Sequence, residues 1–357
     1  MRSSLCLNMI VKNEAHVIRR CLDSVRPFIS HWVIVDTGST DGTQDIIRTH
    51  MRDLPGELCE RPWRDFGTNR SEALELARGR ADYTLVMDAD NVLRVPPGYA
   101  FEDLAADGYY VTHRYANVEF GMAILLADRI PWRYEGVLHE YATADVPHRV
   151  VALAGPWVQM FHEGARSRDP TTYLKDAAVL EAALVKDPAN ARYAYYLAQS
   201  LKDAGQLERA LAAFRHRATM AGWDEETWQA RYQAALLVER LKQSPAEIER
   251  AYLEAWNARP ARAEPLVQLA RWHRERSEWA AALLFARAAA ATPRPGDQLF
   301  VEDAVYAWRA LDEVAIAAWH AGARDEGRAA ATRLVAEARF PPSERERIEK
   351  NLAWYAT

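Results

Sequence analysis

Short apolar runs alternate with helical patterns along the first part of the chain. Four runs predict buried strands, at residues 5–11, 32–35, 58–59 and 83–87. Between them, apolar side chains recur at helical spacing, as in Val17, Cys21 and Val25. This βαβαβαβ order predicts a mostly parallel sheet with helices on its faces. Ligands bind such sheets at the carboxyl ends of the strands, which is where Asp36 and Asp88 stand.

The pattern becomes less regular after residue 108 and changes again near residue 165. Apolar runs at 109–115 and 120–126 predict antiparallel strands, and the run at 157–161 predicts another. Beyond residue 165, Ala, Leu, Glu and Arg dominate and strand-like runs disappear. The sequence therefore predicts two domains, an α/β domain over 1–165 and an all-α domain over 166–357.

The helical part contains repeated dipeptides. Leu197-Ala198 recurs as Leu269-Ala270, and Asp187-Pro188 is followed at the same interval by Arg259-Pro260. Residues 195–201 resemble part of a tetratricopeptide repeat, a helix-turn-helix unit of about 34 residues. We therefore expect a tetratricopeptide-like domain. The alternative is a helical domain that does not repeat and packs through its many alanines.

Composition narrows the class of protein. Hydrophobic residues make up 49% and charged residues 27% of the chain, and the formal net charge is −5. A dedicated nucleic-acid or membrane-surface binder usually has a basic excess instead. Cys6, Cys21 and Cys59 are odd in number and have no CxxC spacing, which favours reduced thiols and a cytoplasmic location. No apolar run reaches the ~18 residues of a membrane span, and the N-terminus does not resemble a signal peptide.

The Asp88-Ala89-Asp90 triplet directly follows a predicted strand. At a spacing of two along a strand, both carboxylates can point into the crevice beyond it. Two clustered carboxylates repel each other unless a cation neutralises them. Hard oxygen ligands suit Mg²⁺ or Mn²⁺, and either ion can in turn bind a diphosphate. We interpret the triplet as a metal site, against the alternative of a solvated turn.

The segment over residues 36–43 is rich in turn-forming residues. Its glycines make the turn, and Thr40 or Asp41 can cap the following helix. Asp36 lies outside that structural explanation. A carboxylate at a strand end can accept hydrogen bonds from a base N–H or a ribose hydroxyl, so Asp36 is a candidate nucleotide ligand.

Five segments together resemble the family 2 glycosyltransferases. They occur in the order found in that family and lie at residues 4–14, 21–25, 35–43, 66–70 and 87–90. The similarity covers roughly residues 3–165 and is closest to the branch that includes the bacteriocin S-glycosyltransferases and many enzymes with tetratricopeptide tails. One position differs, because family members usually have an acidic residue where this chain has Asn91.

The resemblance implies an A-type glycosyltransferase fold, a nucleoside-diphosphate-sugar donor, which we expect to be a UDP-sugar, and inversion at the anomeric carbon. It implies that Asp36 contacts the base or ribose and that Arg70 lies by the nucleotide. It further implies that Asp88 and Asp90 hold the donor through Mn²⁺ or Mg²⁺. The same segments supply further expected donor contacts, namely Val11, Asn13, Glu14, Gly38, Ser39, Asp41 and Ala89.

Two later segments complete the resemblance. Residues 134–140 are similar to the Gly-x-x-His-Glu segment of the branch, and inverting transfer needs a base that deprotonates the acceptor. We expect Glu140 to be that base, with Glu135 and His139 as alternatives. Residues 161–164 are similar to the closing segment of the family, in which a histidine completes the metal shell, and His162 is that residue here.

Two other functions fit parts of the sequence. An adaptor would bind a protein through its helical repeats and keep an inactive first domain, but the candidate residues of an active enzyme are all present. A nucleotidyltransferase would need a glycine-rich basic loop after the first strand, where this chain has residues 11–14 instead. For the acceptor we expect a peptide or protein first, a glycan second and modified DNA third. The helical domain would bind the acceptor or pair two chains as a homodimer.

Overall fold

The computed structural model of the protein describes residues 2–115 and 118–356. The chain divides into two compact units, Met1–Lys186 and Asp187–Thr357. The fold class agrees with the sequence, since an α/β unit with a mostly parallel sheet is followed by an all-α unit. The boundary near residue 165 stays a prediction.

The α/β unit is built on an eight-stranded sheet with a small two-stranded sheet beside it. Its strands are β1 Leu5–Val11, β2 His31–Asp36, β3 Gly56–Glu60, β4 Tyr83–Val86, β5 Val92–Arg94, β6 Gly108–Tyr115, β7 Val118–Ala127, β8 Arg133–Glu135, β9 Tyr141–Thr143 and β10 Val150–Gln159. The large sheet has the order β3-β2-β1-β4-β7-β6-β10-β5, and β8 pairs with β9. Strands β3, β2, β1 and β4 run parallel, whereas β7 is antiparallel to both β4 and β6.

The helices of this unit are α1 Ile18–Val25, α2 Thr43–Met51, α3 Phe66–Ala77, α4 Ala165–Arg168 and α5 Thr172–Lys186. The alternation of β1 to β4 with α1 to α3 is the predicted order. Apolar residues of β1 and α1 belong to the main core. This explains the continuous apolar run of β1 and the helical spacing of apolar residues in α1. Asn8 is the polar exception within β1. Its Nδ2 donates to the backbone oxygen of Ala73 at 2.9 Å, so the buried amide ties β1 to α3.

Strand β10 differs from its predicted limits, and α3 begins at a side-chain cap, each for a local reason. The predicted strand at 157–161 is β10, which begins at Val150 and ends at Gln159. Gly155 and Pro156 interrupt the apolar pattern there, and the strand passes them through a register shift against β6. Helix α3 begins at Phe66 because the Asp65 side chain accepts from Thr68 N–H and caps it.

The all-α unit contains nine α-helices within the residues that the structure describes. They are α6 Ala191–Asp203, α7 Leu207–Arg217, α8 Asp224–Arg240, α9 Pro245–Ala258, α10 Glu264–Glu275, α11 Trp279–Ala291, α12 Ala310–His320, α13 Arg324–Glu337 and α14 Arg345–Ala353. Consecutive helices pack on each other, and buried alanines fill the contacts between them. The first helices of successive pairs begin at residues 191, 224, 264 and 310, so the intervals lengthen and a strict repeat is not kept. No helix of the described chain is long and apolar enough to cross a membrane.

Candidate active site

The carboxyl ends of β1, β2 and β4 meet at one edge of the sheet. The parallel register pairs Val11 with Asp36 and Asn8 with Val86. Beyond the strands, the backbone oxygen of Val11 accepts a bond from Thr37 N–H at 2.9 Å, which starts the loop after β2. The residues predicted to bind the donor therefore emerge from one edge, as the sequence indicates.

Asp36 ends β2 with its side chain fully buried. Its Oδ1 accepts from the backbone N–H groups of Gly38 and Ser39, at 2.9 and 2.8 Å, and from Nε2 of Gln44 at 3.0 Å. Burial alone would raise the pKa of Asp36, but the Ser39 side chain and these hydrogen bonds lower it below its usual value. Oδ2 is buried and has no hydrogen-bond partner. The turn at Gly38 has φ of 107°, which favours glycine.

The loops after β1 and β2 are tied together by side-chain to backbone bonds. Asn13 N–H donates to Ser39 Oγ at 2.8 Å, and Thr40 N–H donates to Asn13 Oδ1 at 2.9 Å. Ala15 N–H donates to Oδ2 of Asp41 at 3.0 Å. Asn13, Ser39 and Asp41 thus fix the shape of the two loops, and their contact with a donor stays a prediction.

Asp88 and Asp90 lie in a turn beyond β4 and have different partners. The alternation of a strand does not apply to them because β4 ends before Asp88. Oδ2 of Asp90 accepts from the backbone N–H groups of Glu163 and Gly164, at 3.0 and 2.9 Å. Ala89 is buried between the two aspartates. Asp90 thus connects this turn to the closing segment, residues 161–164. Asp88 instead belongs to a second cluster, with Arg70 and Glu140.

Glu14 stands beside Asp90 at the same closing segment. Its Oε1 accepts from the backbone N–H of Ala165 at 3.1 Å, whereas its Oε2 is buried without a partner. Burial raises the pKa of Glu14 to about 7, and the charges of Asp90 and Asp88 add to the rise. The three carboxylates therefore form a region of excess negative charge.

This charge suits a divalent cation, although the side chains do not form a closed cage. Within residues 2–115 and 118–356, no group of three or more His, Cys, Asp or Glu side chains is arranged to hold a metal. The ring of His162 stacks on that of Tyr115, with centroids 4.1 Å apart and planes 9° apart. An ion held by two carboxylates and by substrate phosphates needs no such cage. Glu14 has an unpartnered Oε2, and Asp88 and Asp90 are two neighbouring negative charges. These carboxylates therefore fit a metal ion that binds together with a diphosphate.

Arg70 of α3 joins the second cluster. Its Nε donates to Oε1 of Glu140 at 2.6 Å, and its Nη2 donates to Oδ1 of Asp88 at 2.5 Å. Burial alone would lower the pKa of Arg70, but Asp88 and Glu140 raise it above its usual value. Tyr134 covers the guanidinium, with its ring centroid 5.7 Å from Cζ. The Arg70 guanidinium thus links Glu140, the predicted base, to Asp88, a predicted metal ligand.

The three candidates for the base differ in their surroundings. The side chain of Glu140 is 12% exposed, whereas that of Glu135 is 55% exposed and lies 3.7 Å from Nη2 of Arg133. His139 has a left-handed backbone, with φ of 52°. Glu140 is therefore the carboxylate of this segment that is held in the cluster with Asp88, and its role as the base stays a prediction.

Two residues of the site are missing from the sequence-based set. His113 is buried, its Nδ1 lies 3.0 Å from the oxygen of Val111, and it interacts electrostatically with Asp88. Burial lowers the pKa of His113. Nη2 of Arg20 donates to the backbone oxygen of Asp90 at 3.1 Å. Neither position has a signal in the sequence, because one falls in an ordinary strand and the other on the polar side of a short helix.

Comparisons with known proteins point to one family for the first part of the chain. Residues 6–106 match the family model described as glycosyl transferase family 2. A TPR repeat-containing protein of Synechococcus elongatus is 38% identical over 91 residues, which are 25% of this chain and 21% of that protein. The prophage-derived glycosyltransferase SunS of Bacillus subtilis is 32% identical over 90 residues, which are 25% of this chain and 20% of SunS. The matched stretches thus span about a fifth of these relatives.

Solved structures resemble the chain more weakly. Staphylococcus aureus TarS 1–349 has a TM-score of 0.36 and 15% identity, over 70% of this chain and 82% of that structure. A tetratricopeptide repeat protein of Parabacteroides merdae has a TM-score of 0.37 and 17% identity, over 52% of this chain and 66% of its own. Likenesses at this level carry no functional weight. The family match thus shows a glycosyl transferase family 2 domain at residues 6–106.

Proposed function

We propose that the protein is an inverting glycosyltransferase that moves a sugar from a UDP-sugar to a hydroxyl or thiol of an acceptor. The observation that carries this proposal is the Asp36 carboxylate, which is buried at the end of β2 with Oδ2 unpartnered. A buried ionised oxygen without a partner is costly unless a ligand completes it. A base N–H or a ribose hydroxyl is such a ligand.

Asp88 and Asp90 would hold Mn²⁺ or Mg²⁺ against the diphosphate. In the described residues His162 forms no three-ligand group with them and stacks on Tyr115, so it would join the ion only after its ring turns away from that tyrosine. The ion would neutralise negative charge that develops on the leaving diphosphate. Glu14 adds a third carboxylate to this region, with Oε2 unpartnered. The charge of the region supports a cation, since the cluster would otherwise repel the diphosphate.

The acceptor must lose a proton as the new bond forms. In the proposed step, the acceptor oxygen or sulfur attacks the anomeric carbon from the face opposite the diphosphate. The carboxylate of Glu140 takes the acceptor proton, and the bond between the anomeric carbon and the diphosphate oxygen breaks, leaving its electron pair on UDP. Arg70 bonds to Oε1 of Glu140, so Oε2 is the oxygen that we expect to receive the proton.

The acceptor we propose is a peptide or protein, bound by the helical unit, with a glycan as the second choice. The net charge of −5 gives little support to modified DNA. The three cysteines are free thiols, which supports a cytoplasmic location. Pairing of two chains through the helical unit is the alternative use of that unit.

The proposal is tested by thermal unfolding of the full chain with Mn²⁺ alone, UDP-glucose alone, both together, and both with excess chelator. Free ligand at 100 times its Kd stabilises the folded chain by about 2.7 kcal/mol. We expect the largest rise in Tm with both ligands and its loss with chelator. If a panel of UDP-, GDP- and TDP-sugars with Mn²⁺ raises Tm in no case, the chain is an inactive scaffold rather than a transferase.

A further inference from the structure

We propose that Arg70 is the positioning residue for the base, and that it holds Glu140 at the donor site by spanning Glu140 and Asp88. This inference rests on the proposed function. It gives Arg70, which the sequence resemblance places beside the nucleotide, a role in positioning the base. The geometry favours the base instead, because the guanidinium is bonded to the carboxylates of Glu140 and Asp88 within the protein. Nε bonds to Glu140 and Nη2 to Asp88, at 2.6 and 2.5 Å.

The three side chains of the cluster differ in their exposure to solvent. Arg70 and Glu140 are each 12% exposed, whereas Asp88 is 48% exposed. A substrate therefore meets the cluster from the side of Asp88. Arg70 bonds only one oxygen of each carboxylate, Oε1 and Oδ1, so the guanidinium leaves the second oxygen of each free of its own bonds. The fork geometry of arginine fixes the separation of the two carboxylates, which a flexible point charge would not do.

Neutral contacts, besides the bonds of the Arg70 guanidinium, join α3 to β8 and to the loop after it. Ser71 Oγ accepts from the N–H of Tyr134 in β8 at 2.9 Å and donates its proton to the oxygen of Gly67 at 2.7 Å. Phe66 N–H donates to the oxygen of Val137 at 3.4 Å. At Gly67 an added Cβ would lie 2.4 Å from the oxygen of Gly136, so the backbones are in close contact. Neutral bonds and packing thus hold the elements together.

A buried charge is a poor means of stabilising such a contact. Removing charged groups from water is costly, and well-packed apolar residues often replace a buried ion pair without loss of stability. Neutral contacts already join α3 to this loop. A purely structural role for Arg70 therefore does not explain why its charge lies between Glu140 and Asp88. Orientation of Glu140 relative to the donor side of the site explains it.

A double-mutant cycle tests the inference. The variants are Arg70→Met, Arg70→Lys, Glu140→Gln and the double variant Arg70→Met/Glu140→Gln, in the full chain. Hydrolysis of a UDP-sugar with Mn²⁺, with water as the acceptor, gives kcat and KM, and calorimetry with UDP and Mn²⁺ gives the affinity for the nucleotide. Arg80→Met is the matched control, since Arg80 pairs with Glu57 at 2.9 Å and both side chains are more than 40% exposed.

Arg70→Met is expected to lower kcat about 10²-fold, the cost of misplacing a reacting group by about 1 Å, with the affinity for UDP undiminished. Adding it to Glu140→Gln should change kcat by less than roughly threefold, because Arg70 acts through Glu140. Arg70→Lys should recover part of the loss, and Arg80→Met should match the wild type.

Two results overturn the inference while the proposed function stands. If the costs of Arg70→Met and Glu140→Gln multiply in the double variant, Arg70 does not act through Glu140. If Arg70→Met weakens UDP binding more than about tenfold and leaves kcat unchanged, Arg70 is a nucleotide ligand instead. Failure of the wild type to hydrolyse any UDP-, GDP- or TDP-sugar overturns the proposed function, and this inference with it.

Discussion

The two units of the chain treat buried charge differently. In the helical unit, buried or half-buried arginines pair with carboxylates, as in Arg217–Glu226, Arg262–Glu264, Arg259–Asp297 and Arg274–Glu313. In the α/β unit, Oε2 of Glu14 and Oδ2 of Asp36 are buried without a partner. Among the described residues, no other buried carboxylate oxygen lacks one. The buried charges of these helical pairs are thus satisfied within the protein, whereas two carboxylate oxygens at the edge of the sheet are not.

The cause of the difference is the cost of an unpaired buried charge. A group without a partner loses its hydration and recovers nothing from the protein. The helical unit avoids this cost by pairing. The α/β unit accepts it at the strand ends, where a bound substrate can complete the bonds. Substitution of a paired charge in the helical unit should therefore lower stability. Substitution of an unpaired carboxylate in the α/β unit should instead weaken binding or turnover.

The largest expected effect is on turnover. Glu140→Gln should lower kcat by roughly 10²–10⁴, the range for loss of a general base, with donor affinity kept. Steady-state kinetics with the best UDP-sugar and Mn²⁺ measures this. Glu135→Gln is the control, because Glu135 is 55% exposed and pairs with Arg133 at 3.7 Å. A Glu140→Gln variant with wild-type kcat, beside a slow Glu135→Gln, would transfer the role of base to Glu135.

The next effect is on stability and lies in the helical unit. Glu264 is fully buried and holds Arg262 and the hydroxyl of Tyr306. Glu264→Gln should destabilise this unit by about 3 kcal/mol, because the buried Arg262 is then left with Asp297, at 3.3 Å, as its charged partner. Hydrogen–deuterium exchange in α8 and α10 measures the loss within that unit. UDP binding should be unchanged, and Glu337→Gln, in an exposed pair, should leave exchange unaltered. Weaker UDP binding in Glu264→Gln would contradict the comparison.

Asp36→Asn should give the opposite signature. The amide oxygen can still accept the three bonds made to Oδ1, so folding should be little affected. UDP affinity should fall roughly 10- to 100-fold, the worth of one hydrogen bond to a charged group. Asp82→Asn is the control, because Asp82 accepts from Ser4 at 2.8 Å at the opposite edge of the sheet. Calorimetry that gives both variants the same Kd would remove Asp36 from the nucleotide site.

The smallest effect concerns pH. Burial raises the pKa of Asp312 and of Glu313, although Arg347 and Arg274 pair with them and lower it in part. A raised pKa in the folded state means that the folded chain holds these protons longer than the unfolded chain. Their contribution to stability is therefore present below the ordinary carboxylate pKa and is lost as pH rises through the raised values. Thermal unfolding of Asp312→Asn/Glu313→Gln should show a flatter pH dependence in that range than the wild type, and an unchanged slope would contradict this.

The sequence predicts the fold where one pattern decides it. The limits of β1 agree with the continuous apolar run at 5–11, and β1 to β4 follow in the predicted order. The strands β5, β8 and β9 have three residues each, too few for any periodicity. Tertiary pairing alone defines them, so no local pattern could predict them.

For the candidate site, the sequence indicates which residues come together better than it indicates their geometry. Position at a strand end is enough to select Asp36 and Asp88. The strand rule fails for the direction of Asp88 and Asp90, because a turn intervenes and gives each its own partner. The bond between Arg70 and Glu140 joins residues far apart in the chain, and the place of His113 depends on the pairing of β6 with β7. Such contacts arise only from the assembled sheet.

The most direct test of the central claim is a crystal structure of the chain with UDP and Mn²⁺. The account predicts the base or ribose at Oδ2 of Asp36, with the ion and the diphosphate at Asp88 and Asp90. All protein contacts to the nucleotide would then come from the α/β unit, within residues 1–165. A nucleotide bound mainly by residues beyond 200, or one in the α/β unit that leaves Oδ2 of Asp36 unpartnered, would contradict the account.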